Sequence, residues 1–223
     1  MGRNKRKGKA KFYQHKQPAG AVPTKETVRR FAKHLGRPGQ VCQFGSVFDE
    51  VYNPGLPRVV HVSSYPKNIE YVLVRVWGFP NPRNEAYRRH TGPVHTWLYH
   101  GTREHAIAPI VLQGFRLSHS GHCMFGAAAY VTPNLTKAFG YTDRDNPLIF
   151  VCEAKLGRVK QMTSASNALC PQTAGADGFD TAYGKSRYTK SFTDTATLFY
   201  SEYAIYDTTR IHLCYLAEYK RKL

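Results

Sequence analysis

Acidic residues are scarce in this chain: 15 Asp and Glu stand against 32 Lys and Arg, a formal charge of +17 over 223 residues. Such a field favours polyanionic partners (nucleic acid, acidic proteins or an anionic surface) and carries no information about fold. Paired cysteines are also missing. Cys42, Cys123, Cys152, Cys170 and Cys214 form an odd, scattered set without Cys-x-x-Cys spacing. That argues against structural zinc, or any metal, and for reduced thiols inside a cell. Long apolar runs are absent too: nothing near the N-terminus reads as a signal peptide, and no stretch would span a bilayer. A soluble, intracellular protein without a membrane partner is the expectation. What is plentiful is core material, with 42% hydrophobic residues, enough for one ordinary domain plus a tail.

The charge is concentrated at one end. Residues 1–37 hold twelve Lys and Arg against the single Glu26. The first 23 are nearly devoid of apolar side chains and read as a disordered basic tail, suited to nuclear import or to contact with phosphates. Residues 24–66 read as an N-terminal extension. It opens with a short basic helix from Thr24 to Gly36, with Val28, Phe31, Ala32 and Leu35 on one face, and continues as strands and turns with no assignable chemistry. Polyanion contact by residues 1–37, DNA or RNA, and a nuclear location follow as expectations.

From residue 67 onward the pattern becomes denser. Strands are predicted over Tyr71–Trp77, around Trp97–Tyr99, up to Tyr130, over Leu148–Lys155 and from Ile211 to Tyr219. Short helices are predicted over Asn84–His90, over Glu104–Leu112 closed by Gly114, and over Asn134–Phe139 with Thr132 as cap. Residues 161–199 read as one long polar loop, of the length usually reserved for function, with Arg158, Lys160, Lys185, Arg187 and Lys190 expected to line the approach to it. Trp97, Leu98 and Tyr99 read as a buried strand, and the Gly101 after it leaves room for something, a ligand by expectation, to approach the backbone.

Three stretches carry chemistry when taken together: Tyr99-His-Gly-Thr102, Met124-Phe-Gly126 leading to Tyr130, and Ser201-Glu-Tyr203 leading to Tyr206-Asp207. With Gln113-Gly-Phe-Arg116 between them, their order resembles the catalytic domain of the poly(ADP-ribose) polymerase family, over roughly Tyr71 to Tyr219. The resemblance implies an α+β fold, a split, mainly antiparallel sheet with short flanking helices, filling residues 67–223. It implies NAD as co-substrate and a His, a Tyr and a Glu as the signature set: His100, Tyr130 and Glu202. By resemblance His100 holds the adenosine ribose, the Gly101 backbone holds the nicotinamide amide, and Thr102 and Arg116 support the adenosine half. Tyr130 and Tyr141 flank the nicotinamide ring, whose cationic form suits an electron-rich aromatic face.

The implied reaction passes through an oxocarbenium-like state when the bond between ribose and nicotinamide breaks, so a carboxylate near the ribose, Glu202, stabilises the developing charge. The product is ADP-ribose on a protein or nucleic-acid acceptor. Three positions depart from the family's usual pattern. Ala138 stands where a Ser often binds the nicotinamide amide, Ala128-Ala129 replaces Gly-Ile, and Ala127 replaces a Lys. These changes favour single transfers over polymer growth. The alternative is a catalytically silent module that keeps the fold to bind nucleic acid.

Overall fold

The computed structural model describes residues 49–50, 53–64, 67–79, 85–118, 123–145, 147–187, 189–190 and 197–222. The basic tail, the helix expected over 24–36 and the start of the strands and turns expected after it lie outside them.

Among the described residues, ten strands form two sheets. The larger runs β1 (Asp49–Glu50), β3 (Lys67–Gly78), β10 (Ile211–Arg221), β6 (Leu148–Ala154), β4 (His95–Thr102), with β2 (Val59–Ser64) paired to the other stretch of β3. Every one of its pairings is antiparallel. The smaller sheet is β5 (Ala129–Val131), β9 (Glu202–Ile205), β8 (Thr181–Gly184), β7 (Val159–Met162), with one parallel pairing between β7 and β8. Four short helices flank them, again among the described residues: α1 (Glu85–Arg89), α2 (Glu104–Gln113), α3 (Leu135–Phe139) and α4 (Pro171–Ala176). This is the α+β, mainly antiparallel split-sheet architecture expected from the sequence.

Strand β6 explains how the layers are arranged. All seven of its residues are buried. Successive side chains of a strand point to opposite faces. Accordingly Leu148, Phe150 and Cys152 enter one core, with Leu98, Phe115 and Leu216, while Ile149 and Val151 enter another, with Ala138, Phe139 and Tyr219. The first core also takes Ala129, Val131 and Ile205 from the smaller sheet, so it fills the space between the sheets. The far face of the smaller sheet closes a third core around Phe125, Ala182, Ala204 and Tyr206. Burial of one such Phe or Leu contributes about 2 kcal/mol, so the shared core holds the two sheets together.

Several expectations are corrected. Trp97 is not buried: it is 40% exposed and sits at φ +59°, in a bulge where the register of β4 on β6 shifts between His95 and Leu98. Bulged residues lose their place in the inward–outward alternation. Tyr130 lies in the middle of β5 rather than at its end. The helix after it is capped by Asn134, whose side chain accepts the Lys137 N–H at 3.1 Å, while Thr132 bonds elsewhere. The polar stretch over 161–199 is not one loop; it contains part of β7, helix α4 opening on Pro171, and β8. Those strands are four residues each, too short for alternation to register. In β10, Leu216 and Glu218 are buried as well as Ala217 and Tyr219, because the strand is covered on both faces and bulged between Leu213 and Tyr215.

Candidate active site

His100 and Gly101 are neighbours on β4 with opposite facings. His100 pairs with Phe150 and so faces the core between the sheets, where its ring meets Phe115 edge-on at 4.9 Å. Its Nδ1 lies 2.8 Å from the Tyr130 carbonyl. A carbonyl only accepts, so Nδ1 carries the hydrogen and the neutral ring leaves Nε2 as an acceptor. Burial pushes the His100 pKa below its ordinary 6.5, against the bond to Tyr130. The neutral form is therefore the resting one.

Gly101 faces the other way, toward α3. A Cβ there would lie 1.8 Å from the Ala138 carbonyl oxygen. The close approach anticipated at this glycine is thus made by the chain's own helix and not, on that face, by a ligand. The Ala138 carbonyl also accepts the Tyr141 N–H at 3.1 Å, so Gly101, Ala138 and Tyr141 form one contact. The backbone edge of Gly101 is a separate matter. Tyr99 exchanges both its backbone bonds with Thr132, at 2.7 and 2.9 Å, on the side away from β6. Antiparallel alternation turns the Gly101 N–H and C=O to that same outer edge, one step further along. A flat carboxamide could add there as one more rung.

Tyr130 and Glu202 share a face of the smaller sheet. Tyr130 pairs with Ala204, and Glu202, two residues from Ala204, is its diagonal neighbour, a spacing of about 7–8 Å. The Tyr130 hydroxyl is fully occupied: it accepts from the Phe125 N–H at 2.9 Å and donates to the Gly126 carbonyl at 2.9 Å. The Tyr206 hydroxyl donates to the Phe125 carbonyl at 2.8 Å. Two phenols therefore pin the Met124–Gly126 turn. Burial drives the Tyr130 pKa far up. Tyr130 offers the site a ring face and no proton.

Glu202 opens β9 and is buried, 6% exposed, in an ion pair with Lys137 Nζ, itself 11% exposed. The pair follows from local structure. Thr132 Oγ1 donates to the Ser201 carbonyl at 2.7 Å and accepts the Asn134 N–H at 3.1 Å. Asn134 then caps α3 so that Lys137, in its first turn, stands over the residue after Ser201. Tyr141, after α3, is 58% exposed. Its phenol pKa is raised first by the protein packed around it and then by the charge of Glu202.

The fold thus gathers His100, Gly101, Tyr130, Tyr141 and Glu202 along the line where β4 meets β5, β9 and α3. Thr102 is half-buried at the end of β4. Arg116 is exposed and donates to Gln113, oriented along its own segment. No group of three or more His, Cys, Asp or Glu positioned for a metal ion occurs among the described residues. The site residue that sequence reasoning missed is Lys137. Its signal was the Asn134-x-x-Lys137 spacing, which fixes a first-turn lysine once Asn134 is the cap.

The family model for the poly(ADP-ribose) polymerase catalytic domain matches residues 60–221. The chain belongs to that family. Among curated relatives, poly(ADP-ribose) polymerase 1 of Danio rerio is 30% identical over 146 residues, covering 53% of this chain and 14% of the relative. The Caenorhabditis elegans protein of the same name is 26% identical over 173 residues, 63% of this chain and 18% of its own length. The chain therefore spans under a fifth of these relatives. Membership of the poly(ADP-ribose) polymerase family supports ADP-ribosyltransferase chemistry in general, with NAD as the substrate such domains use.

Proposed function

We propose that this protein is a His-Tyr-Glu type ADP-ribosyltransferase that cleaves the bond between nicotinamide and ribose in NAD and moves ADP-ribose to an acceptor, one unit at a time. The observation that carries the reading is the buried Glu202 on the same sheet face as the Tyr130 ring, one diagonal step apart. In this reading His100 Nε2 accepts a hydroxyl of the adenosine ribose, its tautomer set by the Tyr130 carbonyl. The outer edge of Gly101 takes the nicotinamide carboxamide, and Tyr130 and Tyr141 sandwich the ring. Thr102 and Arg116 support the adenosine half. Glu202, ion-paired to Lys137, holds the ribose 2′-hydroxyl and stabilises the positive charge that develops as nicotinamide departs.

Single transfer follows from the departures at Ala127, Ala128, Ala129 and Ala138. Polymer growth needs a well-held ADP-ribose end as acceptor, and Ala127 and Ala138 offer methyl groups where an ammonium and a hydroxyl would serve. Losing one such bond costs about 1 kcal/mol. Residues 1–37 act as a polyanion-binding arm and direct the protein to the nucleus. The test is mass analysis of the products of incubation with NAD. Increments of a single ADP-ribose and release of nicotinamide support the reading; a ladder of increments contradicts single transfer, and intact NAD contradicts the activity.

A further inference from the structure

Among the described residues, the most exposed large apolar side chain stands three residues before Glu202. Phe199 is 84% exposed and Tyr200 after it 36%. Leu198 turns inward to the third core, where its Cδ1 lies 2.6 Å from the place a Cβ on Gly184 would occupy, and Phe199 follows it in a bend outside any strand. Its backbone is not loose: the Phe199 carbonyl accepts Ser186 Oγ at 2.6 Å, and Ser201 Oγ accepts the Ser186 N–H at 3.0 Å. An ordered backbone therefore presents a bare aromatic ring to water.

Cations are placed along the same ledge. The Arg187 N–H donates to the Leu198 carbonyl at 2.7 Å, and Lys190 forms a bridge with Thr197. Arg187, Lys185 and Lys190 are all exposed. Arg187 is held at φ +63°, a left-handed conformation that a residue with a Cβ adopts only at a cost. Arg158 and Lys160 nearby are ion-paired to Asp180 and Asp177, whereas Arg187 has no acidic partner among the described residues. Bare aromatic rings interleaved with cations suit a ligand that has both flat rings and regularly spaced negative charge, and single-stranded nucleic acid combines the two. A folded protein acceptor would offer acidic groups without the stacking faces. Three residues of extended chain reach about 10 Å at most, so the backbones of Phe199 and Glu202 lie within about that distance of each other.

We propose that the Arg187–Phe199–Tyr200 ledge binds single-stranded nucleic acid as the acceptor of the transfer; this rests on the function proposed above. In the step, the bond from ribose C1′ to the nicotinamide nitrogen breaks and its electron pair leaves with nicotinamide, which becomes neutral. A strand-end oxygen forms the new bond to C1′. A phosphate oxygen attacks as the anion it already is, while a hydroxyl gives its proton to Glu202.

The experiment uses the full chain, a labelled single-stranded oligonucleotide and an acidic peptide of equal charge. Fluorescence anisotropy should give Phe199→Ala an affinity for the oligonucleotide about fivefold weaker or more, with Phe199→Trp restoring it and peptide binding unchanged. Arg187→Ala should lower the salt slope of oligonucleotide binding by about 0.7. With NAD present, label should enter a nuclease-sensitive product, and Phe199→Ala should raise the KM for the strand while release of nicotinamide without a strand is unchanged. Equal oligonucleotide binding by wild type and Phe199→Ala, or label confined to the peptide, would overturn the proposal. A wild-type chain that releases no nicotinamide would instead overturn the transferase reading, with the binding comparison still deciding whether the ledge holds a strand.

Discussion

Lys137 is ion-paired to Glu202 with both side chains almost wholly buried. The capped first turn of α3 thus clamps the carboxylate that opens β9. Burying both charges is costly, and the pair tolerates it because each neutralises the other. Lys137→Met should therefore leave an uncompensated buried carboxylate and destabilise the fold by about 3 kcal/mol or more. The double variant Lys137→Met/Glu202→Gln should recover much of that loss, because the charge that needed a partner is gone. Denaturant titration of the two single variants and the double variant measures the coupling, and strictly additive losses would mean the pair is not clamped.

Gly101→Ala tests the contact between β4 and α3. The new Cβ would stand 1.8 Å from a backbone oxygen, that of Ala138, where no side-chain rotation relieves the clash. The helix carrying Lys137 and leading to Tyr141 has to move. Overpacking of this kind costs about 1–3 kcal/mol, so thermal unfolding should shift down by several degrees. NAD cleavage should fall by more than the lost stability explains. A variant with wild-type melting and activity would show that this contact does not position the site.

Tyr130 separates ring from hydroxyl. Tyr130→Phe keeps the stacking face and strands two bonding groups, the Phe125 N–H and the Gly126 carbonyl, at about 1 kcal/mol each. It should lose about 2 kcal/mol of stability and retain much of the NAD cleavage rate. Tyr130→Ala should lose both. If Tyr130→Phe is as inactive as Tyr130→Ala while still folded, the hydroxyl has a chemical part that its bonding in the structure does not suggest.

The pH dependence follows from His100. Its folded pKa lies below the ordinary 6.5, chiefly through burial. Between the two values the unfolded chain binds the extra proton and the folded chain does not, so stability rises with pH there. The contribution is fully present above about 6.5 and is lost as pH falls toward the folded value. His100→Gln keeps a donor and an acceptor without titrating. Stability measured from pH 7 to 5 should fall more steeply for wild type than for the variant, and parallel curves would remove His100 as the cause.

How much of this could be read from the residues varies with how local the cause is. Helix α2 was legible from Ile107, Ile110 and Val111 with Gly114 as stop, and β6 from its unbroken apolar run. The set of His100, Tyr130 and Glu202 was legible only through three separated motifs in order, since the sheets that join them are built from long-range pairings. Lys137 was not seen as a site residue because its role depends on which of two neighbours caps α3, and Thr132, the more obvious candidate, is bonded to Ser201. Trp97 was misplaced by a bulge, and the purpose of Gly101 was half right: something does approach it, and on the side-chain face that something is Ala138.

Glu202→Gln measures the central claim most directly. The amide keeps the size of the carboxylate and removes its charge, so the variant, incubated with labelled NAD beside wild type, should bind the dinucleotide with similar affinity and transfer essentially no label. Equal labelling by the two proteins would contradict the role of Glu202 and, with it, the account of the site.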